Sequence, residues 1–129
     1  MRVARRVLAW EGAPRARVEL TLLDATAMRG LNRRATGRRG LTDVIAFALP
    51  QPDGSLVGDI YICPEAAQRD VARRGLGGGE SVPAELVRLV VHGTLHVLGY
   101  DHPEGRGRTG SAMWRRQERY VRRLLNGRA

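Results

Sequence analysis

TDVIAFALPQPDGSLVGDIYIC, residues 42–63, contains two apolar segments joined by polar turn residues. The segment from Asp43 to Leu49 is apolar on both faces after its first residue, which predicts a strand that is well covered. Two prolines and an Asp-Gly pair follow, and these residues favour turns. The segment from Leu56 to Ile62 predicts a second strand. A hairpin is the simplest connection between the two strands.

The sequence on either side of this hairpin predicts mainly helices. Alternating apolar residues in ARVELTLL, residues 16–23, indicate one more strand, and Asp24 is a suitable N-cap for the helix that follows it. Gly99 is placed to end a buried helix with a left-handed cap. The other predicted elements are helices over 2–10, 25–35, 64–74, about 83–98 and 111–125. Cys63 lies near a helix start, and we interpret it as a structural residue.

Composition limits the class of protein. The 129 residues suit a single domain over 1–129, and one cysteine fits a reducing cytoplasm. No run is long enough to predict a membrane-spanning helix or a targeting segment, so we expect a cytoplasmic protein without a membrane partner. The net charge of +9 predicts a polyanion partner, although the 22 basic residues are all arginine, which equally fits a compositional bias.

The arginines are not evenly distributed. A stretch from 29 to 39 holds five of them and no carboxylate, which favours contact with nucleic acid. A second group near the C-terminus is partly offset by Glu118 and is more typical of the solvated face of a helix. The first stretch contains Arg29, Arg33, Arg34, Arg38 and Arg39, and the second contains Arg115, Arg116, Arg119, Arg122 and Arg123.

All three histidines lie in HGTLHVLGYDH, residues 92–102. His92 and His96 are four positions apart on a predicted helix, so they differ by about 40° around its axis and project towards one point. A turn at Gly99 would return His102 to the same point. Three neutral imidazoles with one open position are typical of a catalytic zinc site. A histidine packed in a core is the ordinary alternative for a single residue, but three at this spacing fit it poorly.

Gly93 distinguishes this pattern from the zinc signature of metzincin proteases, which it otherwise resembles. Metzincins carry a glutamate at that position, and peptide hydrolysis without it lacks a general base and a proton donor. Phosphodiester hydrolysis depends less on such a group, because the metal itself can offset the charge on phosphorus. Gly93 is explained equally well by close approach of another backbone or substrate and by tight helix packing.

Together with TDVIAF and GDIYIC upstream, HGTLHVLGYDH resembles the YbeY family of bacterial metal-dependent endoribonucleases. The resemblance runs from about Val18 to Leu125, and Val97 replaces the family's usual leucine. It implies an α+β fold, with a small mixed sheet of three to four strands against several helices and a metzincin-like histidine zinc site at the end of a cleft. Carried over by position, one zinc ion is held by His92, His96 and His102.

Two departures from the family pattern affect these expectations. Family members usually begin with an extra strand, so the sheet here is expected to have three strands rather than four. The family also has an arginine, important for activity, where this chain has Thr36. Arg34, Arg38 and Arg39 are close enough in sequence to replace it, and we assign Arg38 and Arg39 as the phosphate clamp.

The resemblance implies a zinc-dependent, single-strand-specific endoribonuclease of ribosomal RNA maturation and ribosome quality control. The expected partner is precursor ribosomal RNA or the small ribosomal subunit. Two other interpretations remain open. Thr36 and the basic surface favour a zinc-containing ribosome assembly factor without turnover, and the histidine spacing leaves a metzincin-like metallohydrolase as the other.

Overall fold

Eight helices and strands occupy the parts of the chain that the computed structural model describes, which are residues 2–74, 81–100 and 112–126. In chain order they are α1 (Arg2–Trp10), β1 (Ala16–Leu22), α2 (Ala25–Thr36), β2 (Val44–Pro50), β3 (Leu56–Ile62), α3 (Pro64–Arg74), α4 (Val82–Val97) and α5 (Ala112–Leu125). The predicted elements are thus confirmed to within a residue or two at their ends. None of the described helices is long and apolar enough to cross a bilayer.

The three strands form one mixed sheet in the order β1-β3-β2. β1 runs parallel to β3, with Val18 opposite Gly58, and β2 runs antiparallel to β3, with Ala46 opposite Ile60. The turn between β2 and β3 is closed by the Gln51 amide, which donates to the Ser55 carbonyl at 2.8 Å. The predicted hairpin and the small mixed sheet of an α+β fold are therefore confirmed.

β2 differs from the expectation of a well-covered strand. Its first residues pack into the core, but Ala48, Leu49 and Pro50 are exposed, and Leu49 is 42% accessible. The cause is topological, because β2 lies at the edge of the sheet. Apolar residues on both faces did not distinguish an edge strand from a central one.

Helices cover both faces of the sheet. α4 packs against one face, where Ile60 and Ile62 are fully buried, and α2 packs against the other through Met28 and Ile45. α1 and α5 lie behind α4 and form a separate apolar cluster that includes Val91. α4 is therefore the central helix, between the sheet on one side and α1 and α5 on the other.

Two glycines allow α4 to lie close to β3. A Cβ atom at Gly58 would lie 2.5 Å from both Cγ atoms of Val97, and one at Gly93 would lie 3.0 Å from two atoms of Ile60. Both distances are shorter than carbon–carbon van der Waals contact. Gly93 is thus explained by tight packing of the helix against a strand side chain, which was one of its two interpretations.

Candidate active site

His92 and His96 lie on one side of α4 and face the same cavity. Their ring centroids are 4.5 Å apart, with an angle of 78° between the ring planes. Both line a cavity of about 340 Å³ between α4, the start of β2 and the end of α2. The convergence of the two rings, predicted from their spacing, is present, and their role as metal ligands stays a prediction.

The end of α4 has the geometry needed to redirect the chain. Gly99 has a φ of 100°, its amide donates to the carbonyl of His96 at 3.0 Å, and the Tyr100 amide donates to the carbonyl of Leu95 at 3.0 Å. These two hydrogen bonds form a Schellman motif, as the glycine predicted. His102 lies outside the described residues. Within those residues, no group of three histidine, cysteine or acidic side chains could hold a metal.

Gln117 of α5 contacts the Nδ1 atom of the His92 ring. The Nδ1 atom of His92 lies 2.7 Å from Oε1 of Gln117, whose residue is only 2% exposed. Sequence analysis missed this residue. The sequence does contain a signal for it. Gln117 lies four residues after Met113 and three before Tyr120, on the inward face of an amphipathic helix, where residues are usually apolar.

Gln117 belongs to a network of charged side chains. Its Nε2 donates to Glu118 at 3.0 Å, and Arg88 binds Glu118 through two hydrogen bonds of 2.8 and 2.7 Å. Arg88 also donates to the buried Glu85 at 3.1 Å. Burial raises the pKa of Glu118, but hydrogen bonds from Arg88 and Gln117 outweigh it and hold that pKa below its usual value. Glu118 therefore faces inward, whereas sequence analysis assigned it to a solvated face.

A larger cavity of about 640 Å³ lies on the same side of α4 as this network. His92 lines both cavities, as does Thr42 at the start of β2. Asp43 also lines the larger cavity, where burial, together with the charge of Asp70 and a hydrogen bond with it, raises the pKa of Asp43 to about 6. Thr42 and Asp43, the first two residues of TDVIAF, therefore line one cavity together with His92.

The structure places the two arginines of the predicted phosphate clamp differently, and their role as a clamp stays a prediction. Arg38 lines the cavity that contains both histidines, whereas Arg39 is exposed and is not part of its wall. Thr36 accepts from the Arg38 amide at 3.2 Å and donates to the Asn32 carbonyl at 2.7 Å. The Asn32 side chain in turn donates to the carbonyl of Gly40 at 3.2 Å. Thr36 thus helps to shape the loop that carries Arg38.

The basic stretch predicted to contact nucleic acid forms an exposed surface on α2 and the loop after it. All five of its arginines are exposed, and they adjoin the cavity through Arg38. Near the C-terminus, the solvated face predicted for α5 is present, with Arg115, Arg119, Arg122 and Arg123 exposed. Arg116 is the exception, because it donates to Glu11 at 2.9 Å.

Glu11 joins the chain on both sides of the segment that contains His102. It accepts hydrogen bonds from Tyr100, at 2.7 Å, from Tyr120 and from Arg116. Burial raises the pKa of Glu11, but these three hydrogen bonds outweigh it and lower the pKa overall. One carboxylate thereby fixes Tyr100, which follows the end of α4, to α5.

Comparison with known proteins identifies the family. The family model described as Endoribonuclease YbeY matches residues 2–125. The chain is 39% identical over 102 residues to Endoribonuclease YbeY of Mycolicibacterium smegmatis, covering 70% of this chain and 55% of that protein. It is 40% identical over 114 residues to that of Mycobacterium tuberculosis, covering 79% of this chain and 62% of that protein.

A solution structure of a protein from Thermotoga maritima has a similar fold. It matches with a TM-score of 0.64 and 28% sequence identity, over 97% of this chain and 78% of that one. The chain spans little more than half the length of the curated relatives it matches, since the two shares above are 55% and 62%. The family match nevertheless covers almost the whole of this chain. The chain therefore belongs to the endoribonuclease YbeY family.

Proposed function

We propose that this protein is a metal-dependent endoribonuclease that cleaves single-stranded RNA in ribosomal RNA maturation and ribosome quality control. The observation that carries the proposal is the composition of one cavity wall. His92, His96 and Arg38 line the same cavity, which combines two metal-binding side chains with a guanidinium that suits phosphate. Family membership supports RNA as the substrate.

The two described histidines fit a zinc ion. Both are imidazoles on consecutive turns of one helix, and Nδ1 of His92 lies within hydrogen-bonding distance of Gln117, an arrangement that metal ligands usually have at their second ring nitrogen. We propose one zinc ion held by His92, His96 and His102. When bound, the metal would supply Lewis acidity, drawing charge from the phosphate and acidifying water.

Arg38 and the surrounding arginines would bind the RNA backbone. Because a guanidinium presents donors in a planar fork, Arg38 can bind two oxygens of the scissile phosphate and stabilise charge that develops there. Arg39 lies outside the cavity, so we propose that it contacts a neighbouring phosphate instead. The exposed arginines of α2 extend this contact along the strand.

Gly93 argues against a metzincin-like peptidase. The chain lacks the glutamate that such enzymes use at this position, and a Cβ atom there would lie 3.0 Å from Ile60, which would have to shift. Precursor ribosomal RNA, or RNA of the small ribosomal subunit, remains the proposed substrate. The proposed function would be exercised in the cytoplasm, where the single free cysteine, Cys63, stays reduced.

An RNA cleavage assay tests the proposal. Purified protein is incubated with a single-stranded RNA and with the duplex of the same sequence, before and after chelation and zinc restoration. We expect cleavage of the single strand that chelator abolishes and zinc restores. His96→Ala should lose cleavage, and Arg38→Ala should lose about 10²-fold or more, while Arg39→Ala loses less.

Three outcomes would contradict the proposal. Salt-sensitive RNA binding without cleavage at any zinc loading would favour the assembly-factor interpretation. Cleavage that survives His96→Ala would indicate another site or a contaminating nuclease. Equal rates for Arg38→Ala and the wild type would remove Arg38 from the phosphate clamp.

A further inference from the structure

We propose that Gln117 is a positioning residue that holds the proton of His92 on Nδ1 and thereby leaves Nε2 as its donor atom for a metal. The inference rests on the proposed metal site for its consequence, whereas the position of the proton is inferred from the contacts of Glu118, Gln117 and His92.

The orientation of the Gln117 amide is set by Glu118. An ionised carboxylate only accepts hydrogen bonds, so the group of Gln117 that lies 3.0 Å from Glu118 must be the donating NH₂. The amide oxygen then points the other way. That oxygen lies 2.7 Å from Nδ1 of His92.

Glu118 is itself held in its ionised form and in place. Arg88 donates to both of its carboxylate oxygens, and the pKa of Glu118 is lowered by these bonds against the effect of burial. Arg88 is anchored on its other side by Glu85, whose side chain is 6% exposed. Rotation of the Gln117 amide would place its oxygen against a carboxylate and its NH₂ against the imidazole. The network therefore selects one orientation of the amide.

The amide oxygen has no proton to donate, so the hydrogen bond to His92 requires the proton to be on Nδ1. In a neutral imidazole the other nitrogen, Nε2, then carries the lone pair. A hydrogen bond from the second ring nitrogen fixes the orientation of a ligand imidazole and increases its basicity. Gln117 would therefore prepare His92 as an Nε2 ligand before any metal binds.

Nitrogen NMR of the metal-free protein tests the proton position directly. ¹⁵N-labelled protein is measured at a pH where His92 is neutral, and the two ring nitrogens are identified by their coupling to ring protons. We expect a protonated Nδ1 and an unprotonated Nε2 in the wild type. Gln117→Leu should shift the population towards a proton on Nε2, and Glu118→Gln should give a mixture, because the amide can then rotate. Gln68→Leu, the same change at an exposed position of α3, should leave His92 unchanged.

Zinc affinity provides the second measurement. In competition with a chelating dye, Gln117→Leu should bind zinc about 10- to 100-fold more weakly than the wild type, while Gln68→Leu binds equally well. A wild-type spectrum with the proton on Nε2 would overturn the inference, and so would unchanged zinc affinity in Gln117→Leu. If Gln117→Leu does not fold, the wild-type spectrum decides. Failure of the wild type to bind zinc would overturn the proposed metal site, while a proton on Nδ1 would still support the role of Gln117.

Discussion

His92 lies between two walls of very different character. The closed wall, formed by Glu85, Arg88, Gln117 and Glu118, is buried or half-buried and joined by hydrogen bonds and ion pairs throughout. The open wall, formed by Thr36 and Arg38, is exposed and belongs to the end of α2 and the loop after it. The closed wall contacts the imidazole through Gln117, and the open wall would present charge to the proposed RNA substrate. Substitutions in the closed wall should therefore change stability, and those in the open wall should change binding.

The largest expected effect comes from breaking the closed wall at Arg88. Arg88→Met removes the arginine that binds both Glu85 and Glu118, while Arg74 still pairs with Glu85 at 3.2 Å. Removal of one partner from a buried ion pair costs about 3 kcal/mol, since a charge is left without compensation. Urea denaturation should show that loss. Arg119→Met, an exposed change on α5, is the control and should stay within about 0.5 kcal/mol. If the two substitutions change the free energy of unfolding equally, the ion pairs of the closed wall contribute nothing to stability.

A somewhat smaller effect is expected where α4, which carries His92, contacts the sheet. Gly58→Ala introduces a Cβ atom 2.5 Å from Val97, so the helix or the side chain must shift, at a cost of about 2 kcal/mol. Denaturation of Gly58→Ala, Val97→Ala and the double variant measures the coupling between the two positions. We expect the double variant to be less destabilised than the sum of the single ones. If the losses of stability in the two single variants simply add in the double variant, the Gly58–Val97 contact does not hold α4 against the sheet.

The pH dependence of stability tests Asp43, which lies beside the closed wall. Its pKa in the folded protein is about 6, above the value of 3.8 for an unperturbed aspartate, because of burial and the neighbouring Asp70. Folding therefore favours the protonated carboxyl, and the stability it contributes is present below about pH 4 and is lost as the pH rises through 6.

Asp43→Asn mimics the protonated form and should remove this loss. Relative to the wild type, the variant should gain about 1–2 kcal/mol between pH 4 and pH 8, a range that allows for partial solvent screening. Denaturation at the two pH values measures the difference. Asp24→Asn is the control for the amide change, since asparagine caps a helix as well as aspartate does. A gain at pH 4 that disappears at pH 8 would contradict the sign of the shift.

The smallest effect on stability is expected in the open wall. Arg38→Ala should change the free energy of unfolding by less than about 0.5 kcal/mol, because the side chain is exposed. It should instead weaken RNA binding and reduce the slope of log affinity against log salt by about 1, as the loss of one phosphate contact requires. Binding isotherms at several salt concentrations measure this slope. An unchanged slope, or a loss of stability as large as that of Arg88→Met, would remove the distinction between the walls.

The secondary structure and the convergence of the two histidines are largely predictable from sequence, because both depend on local patterns, whereas the assignment of Arg38 depends on the family resemblance. Alternating and helical periodicities place the strands and helices, and the spacing of His92 and His96 predicts their convergence. Gly99 predicts the helix end for the same reason, since its left-handed conformation is a property of that residue and its neighbours. Arg38 was also identified, although local reasoning could not separate it from Arg39.

The closed wall was not predictable, because its contacts join residues distant in the sequence. Arg88 and Glu118 are separated by 30 positions, and His92 and Gln117 by 25. The sequence analysis assigned Glu118 to a solvated face because arginines surround it in the sequence. Helical periodicity gives the direction of a side chain, but it does not show which other element that side chain contacts. The exposed half of β2 was missed for the same reason, because strand order decides which strand lies at an edge.

The central claim is that His92 and His96 hold a single metal ion. The most direct test is the zinc content of the purified protein after equilibrium dialysis against zinc and then zinc-free buffer, for the wild type, His92→Ala and His96→Ala, with folding checked by circular dichroism. The account predicts one ion per chain in the wild type and loss of that ion in both folded variants. A folded wild type without zinc, or full retention in either variant, would contradict it.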